Sequence, residues 1–276
     1  MDEKDKVLEE RYQKYRKRLK RLTLMSDLLS RNVLKDRRCT EYILRIIMND
    51  KELRVVEQKL QADLKNLHGR SAVLDCLVID GENREINIEL QQDNEGAHPK
   101  RARYHLGLMD ANILEPGKNF DQLPESYVIF ITRKDALGKK LPILHIERTI
   151  KETGEDFGDQ SHFIYVDSSR QDDTELGRLM HDLNCSDASD MQKSILADRV
   201  RALKETERGV EHMCREMDEI YSEGVENGIE KGELKKAKET ALSLFDMGLP
   251  VEKIAKAVKI NADTVQKWID ESLVVA

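Results

Sequence analysis

Five short runs rich in β-branched and aromatic residues lie between Ser71 and Asp167: AVLDCLVID, REINIELQ, SYVIFITR, LPILHIERTI and HFIYVD. Runs of this length and make-up read as strands, and they confine the chain to folds with a central sheet of about five strands. One amphipathic stretch separates the second run from the third. It opens at Pro99, continues KRARYHLGLMDANIL and stops before Pro116 and Gly117, the punctuation of a helix over residues 99–114. On either side of the sheet the spacing is helical. Residues 5–60 place Leu and Ile at helical intervals and end in Tyr42, Ile43, Leu44, Ile46 and Ile47, which predicts an all-helical lead-in. From Asp173 onward the strand signal is lost, and Leu176, Leu179, Met180 and Leu183, then Ile195, Leu196 and Val200, return to a helical period. The fold class is therefore α/β, with segments at 1–60, 61–167, 168–240 and 241–276.

The last segment reads as a small tri-helical unit of helix-turn-helix type, with Gly248 as a stop, Pro250 opening a helix and Asn261 capping the next. Its third helix opens Asn261-Ala262-Asp263-Thr264 and its turn carries Lys259, so packing or dimerisation stands beside base reading as its role. Gly224, Gly228 and Gly232 recur every four residues, which close helix packing would explain. The neighbouring Glu223, Glu226, Glu230 and Lys231 exclude a membrane span there.

Charge narrows the function classes. Charged residues make up 36% of the chain, and Lys+Arg 46 against Asp+Glu 53 gives −7, so any contact with a polyanion has to be local. The segment RYQKYRKRLKRL, residues 11–22, is one such local patch and equally an exposed helix paired with Glu9 and Glu10. Cys39, Cys76, Cys185 and Cys214 lie far apart with no C-x-x-C pair, the pattern of free thiols in a reducing compartment. With an acidic opening MDEKDKVLEE and no apolar run of membrane length, the expectation is a cytoplasmic protein without a membrane partner.

The second strand carries the chemistry. Alternation in REINIELQ sets Ile86, Ile88 and Leu90 on one face and Glu85, Asn87, Glu89 and Gln91 on the other. In the preceding strand Asp75 interrupts the apolar run VLDCLVI, where an ionised carboxylate is costly to bury unless a cation meets it. If Gly81, Glu82 and Asn83 form a three-residue loop, Asp80 pairs with Arg84 and Asp75 stands across from Glu89. Two carboxylates that close repel unless a proton or a divalent cation lies between them. No His or Cys accompanies the pair, so a hard, oxygen-loving ion fits: Mg²⁺, with Mn²⁺ as substitute.

This D-x(13)-E-x-Q hairpin, followed by a helix opening with Lys100, Arg101 and Arg103, resembles the PD-(D/E)XK nuclease superfamily, and in particular its recombination-promoting nuclease or putative transposase (Rpn) branch. The likeness extends along the chain through VLDCLVID, NIELQ, PKRARYHLGLMDANIL, YVIFITRKDALGKKLPILHIERTI, FGDQSHFIYVD and LMHDLNCSDASDM. The resemblance implies a restriction-endonuclease-like mixed sheet flanked by helices. It also implies a Mg²⁺-dependent DNA endonuclease of low sequence specificity, connected with recombination or mobile elements. By the same resemblance Asp75 and Glu89 are metal-binding acids, the backbone carbonyl of Leu90 is a third oxygen ligand, and Gln91 stands where the superfamily has Lys. Glu41, on the lead-in helix, is the candidate for a helical acid completing the site. Lys100, Arg101 and Arg103 would meet DNA phosphate or simply form a solvated helix face. A nuclease cutting two strands with one site per chain is expected to form a homodimer or higher oligomer. The competing function is a catalytically decayed core acting as a DNA-binding or oligomerisation module. Histidines 98, 105, 145 and 162 do not cluster at ligand spacing and read as structural.

Overall fold

The computed structural model describes residues 3–66, 69–92 and 94–275. The chain divides into two compact units, Met1–Met213 and Cys214–Ala276.

In the first unit, helices α1 (Glu3–Arg21), α2 (Asp27–Leu34) and α3 (Arg37–Ile47) precede a six-stranded sheet. Its strands are β1 (Val55–Leu64), β2 (Ala72–Asp80), β3 (Glu85–Gln91), β4 (Ser126–Thr132), β5 (Ile143–Ile146) and β6 (Ser161–Asp167), in spatial order β1-β2-β3-β4-β6-β5. β1, β2 and β3 form an antiparallel meander. β3, β4 and β6 run parallel, and β5 returns antiparallel along β6. This is the mixed sheet flanked by helices that the restriction-endonuclease-like expectation named. β1 corrects the all-helical reading of residues 55–60.

A parallel pair cannot be joined by a tight turn. β3 therefore reaches β4 through α4 (Pro99–Ile113), with Pro99 in its first turn and the His98 side chain accepting the Lys100 amide at 3.0 Å. α4 buries Ala102, Leu106 and Met109 against Val128, Phe130, Tyr165, Leu74 and Ala62. α2 and α3 lie against β1, and α5 (Glu175–Asn184) and α6 (Ser194–Lys204) pack onto those helices, burying Leu29, Val33, Leu44, Leu179 and Leu196. The basic stretch 11–22 runs along α1, where Glu9 pairs with Arg16 at 3.0 Å. All four cysteines are free thiols. Among the described residues no helix is long and apolar enough to cross a membrane.

α7 (Glu207–Asp246) runs across the boundary into the second unit, where α8 (Val251–Val258) and α9 (Ala262–Val275) follow. Ala241, Ile254, Val265, Trp268 and Ile269 form the core of the expected tri-helical arrangement. Asn261 caps α9 by accepting the Thr264 amide at 2.8 Å. Lys259 takes φ +56, the left-handed position that Gly fills more readily. A Cβ added at Gly224, Gly228 or Gly232 meets nothing within 4 Å, so close packing among the described residues does not account for these glycines.

Candidate active site

The hairpin register is decided at its turn. The Asp80 amide donates to the Arg84 carbonyl at 3.2 Å and the Asn83 amide to the Asp80 carbonyl at 3.1 Å, while Asn83 adopts φ +63. That left-handed third residue is the mark of a three-residue loop. The ladder then runs from Ile79 opposite Glu85 to Cys76 opposite Ile88. One step further stand Asp75 and Glu89. Here the ladder stops and carboxylates replace carbonyls as acceptors. The Leu90 amide donates to Asp75 Oδ2 at 3.1 Å, and the Asp75 amide donates to Glu89 Oε1 at 3.3 Å.

Glu89 is fully buried and Asp75 half-buried. Burial, then the charge of Asp75, pushes the Glu89 carboxyl up to about 7, and burial also raises Asp75. Four hydrogen-bond donors reach Glu89, and one ring nitrogen lies beside it. Asn87 Nδ2 and the Asp75 amide approach Oε1 at 3.2 and 3.3 Å, with His105 Nδ1 at 3.5 Å. Gln91 Nε2 and Arg101 Nη2 approach Oε2, each at 3.3 Å. Charge-assisted bonds of this kind are ordinarily about 2.7–2.9 Å long. Glu89 is thus held in position by many partners and neutralised closely by none. A small hard cation drawing on both carboxylates fits that deficit, since both offer it oxygen.

Arg101 is the one member of the basic trio that turns inward. Its Nη1 donates to the Gly96 carbonyl at 3.0 Å and its Nε to His105 Nε2 at 3.2 Å. A Cβ on Gly96 would lie 2.1 Å from Gln91 Oε1, so the glycine leaves room for the Gln91 amide to reach Glu89. Lys100 and Arg103 are exposed. With Arg101, Arg70, Ser71 and Tyr104 they line a groove of about 890 Å³ that has no carboxylate among its described lining residues.

Three neighbours of the acid pair escaped the sequence reading. His105, taken there as structural, is 3% exposed. Its Nε2 accepts from Arg101, and its Nδ1 lies 3.3 Å from Asn87 Nδ2 and 3.5 Å from Glu89 Oε1. Burial and then the Arg101 charge push the ring pKa down to about 4, which keeps the imidazole neutral. A His105→Phe substitution keeps the ring volume and strips both nitrogens from these partners. The expected cost is about 1–2 kcal/mol of unfolding free energy for the donor and acceptor left unmatched, read by urea denaturation. A parental midpoint would refute the arrangement. The second neighbour is Asp27, the first residue of α2, whose charge adds to the rise of Asp75. The third is Gln61 of β1, which stands opposite Asp75 between the pairs Leu60–Cys76 and Ala62–Leu74. Glu41 is committed elsewhere. Its Oε1 accepts the Val55 amide at 2.9 Å and its Oε2 meets Arg45 at 3.5 Å, fastening the start of β1 to α3.

His181, Asp182 and Cys185 also bring three ligand atoms within 4.8 Å of one another, at the end of α5. Both Asp182 oxygens, however, accept amides ahead of α6, from Gln192 at 2.8 Å and Lys193 at 3.0 Å. Burial pushes the Cys185 thiol up to about 11, far from the thiolate a metal prefers. That group serves the helix junction.

A family model described as PD-(D/E)XK nuclease family transposase matches residues 41–181, just over half of the chain, and spans β1 to α5. The chain belongs to that family. No curated protein and no solved structure matches it. Membership brings a nuclease- or transposase-like function to the sheet described above, and the matched segment holds both carboxylates of the hairpin, Gln91 and the basic face of α4. Nucleases of this family typically use a divalent metal, and a nuclease implies a DNA substrate. Asp27 and α1 lie before the match, and α6 to α9 lie after it.

Proposed function

We propose that the protein is a Mg²⁺-dependent DNA endonuclease, accepting Mn²⁺ as well, of low sequence specificity and working in recombination or on mobile elements in the cytoplasm. The observation that carries this reading is the pair formed by Asp75 and Glu89, two carboxylates raised by burial and held together at the end of a hairpin. Asp75, Glu89 and the Leu90 carbonyl would hold the cation, with Asp27, whose charge is felt at Asp75, standing beside Glu41 as a candidate for the helical acid. A bound divalent cation supplies the positive charge that polarises the scissile phosphate and acidifies an attacking water.

The chain's own residues do the rest. Asn87 and the Asp75 amide fix the Glu89 carboxylate on its Oε1 side, so it does not swing away when substrate arrives. Gln91 offers a neutral donor, which stabilises phosphorane charge less than an ammonium would. Arg101, already at Glu89, supplies the missing positive charge from α4. Lys100, Arg103 and Arg70 line the groove in which the flanking phosphates would lie, and in a chain of net charge −7 that local concentration of cations is what a polyanion would find.

The deciding assay is nicking of supercoiled plasmid by the full chain. Conversion to open circles is expected in Mg²⁺, with none in EDTA. A purified, folded chain that leaves the plasmid intact in both Mg²⁺ and Mn²⁺ favours the decayed core instead. Sedimentation of the same protein tests the expected homodimer or higher oligomer.

A further inference from the structure

Glu85 opens β3 and lies on the same face of the sheet as Glu89, about 13 Å from it at about 3.3 Å per residue. α4 covers that face. Arg101, near its start, reaches Glu89, and its far end comes to Glu85, where the charge of Asp110 is felt. Glu85 stands opposite Ile79 of β2, which in turn stands opposite Glu57 of β1. These three residues and Ile113 of α4 line a cavity of about 360 Å³. Small ligands are commonly held in cavities of that order.

The charges lining this cavity do not balance. Glu85 is 4% exposed, and its Oε2 has no hydrogen-bond partner among the described residues. A carboxylate in that state is costly to ionise. Burial, then the charge of Asp110, pushes it up to about 7, with Lys59 acting the other way. Glu57 and Asp63 also line the cavity and are exposed, and Lys59 is the one cation among its described lining residues. α4 adds to the negative field. Its C-terminal carbonyls carry the negative end of the helix dipole, and its last turn has no basic side chain to offset it. Leu77, Ile79 and Ile113 supply apolar wall.

We infer that this cavity binds a short aliphatic polyamine, one ammonium on the buried Glu85 carboxylate, the methylene stem over Ile79 and a second ammonium at the exposed Glu57. Neighbouring strands lie about 4.8 Å apart, so the backbones of Glu85 and Glu57 are about 10 Å apart across β2. A short diamine with a hydrogen bond at each end suits that span. A metal ion does not suit this set of acids. Among the described residues only His181, Asp182 and Cys185 bring three ligand atoms within 4.8 Å of one another. The inference stands apart from the acid pair and does not depend on the nuclease reading.

Putrescine is the probe, titrated calorimetrically into the full chain in EDTA. Physiological ionic strength screens its diffuse attraction to a chain of net charge −7. Saturable binding of one putrescine per chain is expected, and none of butanediol, which has the same stem without the charge. Glu85→Gln keeps the shape of the side chain and removes the charge that burial opposes, so it is expected to fold, as its Tm reports. Its putrescine affinity should fall about tenfold or more, as when one partner of a buried charge pair is removed. Glu57→Gln, at the exposed end, should bind several-fold more weakly, and it decides the matter should Glu85→Gln fail to fold. The inference is overturned by a parent that shows no saturable binding, by equal binding of butanediol, or by parental affinity in the folded Glu85→Gln or, failing that variant, in Glu57→Gln. Neither metal nor DNA enters this readout, so its failure and that of the nuclease reading are told apart.

Discussion

Asp75→Asn is expected to abolish plasmid nicking, by about 10³-fold or more, and in EDTA to melt at a higher temperature than the parent. The first effect follows from removing half of the cation's carboxylate charge while the Leu90 amide keeps an oxygen to donate to. A 10³-fold loss corresponds to about 4 kcal/mol of activation free energy. The second follows from the shifts of the pair. Both carboxylates are raised, chiefly by burial, and Glu89 also by the charge of Asp75. A carboxylate whose folded pKa is raised costs stability progressively as the pH rises from its unfolded pKa to its folded one, and the cost fades as the pH falls back through that window. The variant's advantage should therefore be largest near pH 8, of the order of 1–3 kcal/mol, and should shrink as the pH falls below about 7, where Glu89 takes up its proton. Plasmid nicking and calorimetry from pH 5 to pH 8 read both effects. Equal melting temperatures throughout would mean that the two acids do not share one desolvated site. Asp75→Asn is the cleaner choice because Glu89→Gln would turn an amide donor toward Gln91 Nε2 or Arg101 Nη2, both donors themselves.

The turn was legible because three-residue loops leave few choices: counting back from Asp80 and Arg84 fixes Asp75 against Glu89, and local chemistry governs every step of that count. β1 was not legible. Val56, Leu60 and Leu64 recur every four residues, the period of a helix, and the intervening Glu57, Lys59 and Asp63 carry charge as a helix surface would. An edge strand has only one neighbour and one well-covered face, so its alternation is weak. His105 and Arg101 lie four apart on α4, a spacing that puts them on one face, yet nothing local says that the face is turned to β3. Asp27 and Glu41 are both acids on the lead-in helices. Which of them comes near Asp75 depends on how α2 and α3 lie across β1, a matter of long-range packing that spacing does not encode.

Arg84→Ala is expected to destabilise the first unit by about 3–5 kcal/mol, the cost of leaving a buried carboxylate without its cation. Arg84 Nε meets Asp80 Oδ2 at 2.6 Å, Nη2 meets Asp50 at 2.7 Å and Nη1 meets Glu82 at 3.3 Å. The Asp80 side chain is wholly buried, and its Oδ1 also accepts the amides of Glu82 and Arg84 at 3.0 and 2.9 Å. One carboxylate therefore organises the loop that sets the register, and one guanidinium neutralises it. Lysine presents a point charge where a planar fork reaches three acids, so Arg84→Lys should recover only part of the loss. Asp80→Asn in the Arg84→Ala background tests the cause. If the unpaired charge is what destabilises, the double variant regains stability over Arg84→Ala in urea unfolding, and the two substitutions couple strongly. Additive losses would instead assign the effect to missing packing around the arginine stem. Where the double variant is folded, its Mn²⁺ affinity separates charge from geometry: the loop lies five residues from each acid, so only a changed register would carry the disturbance to Asp75 and Glu89.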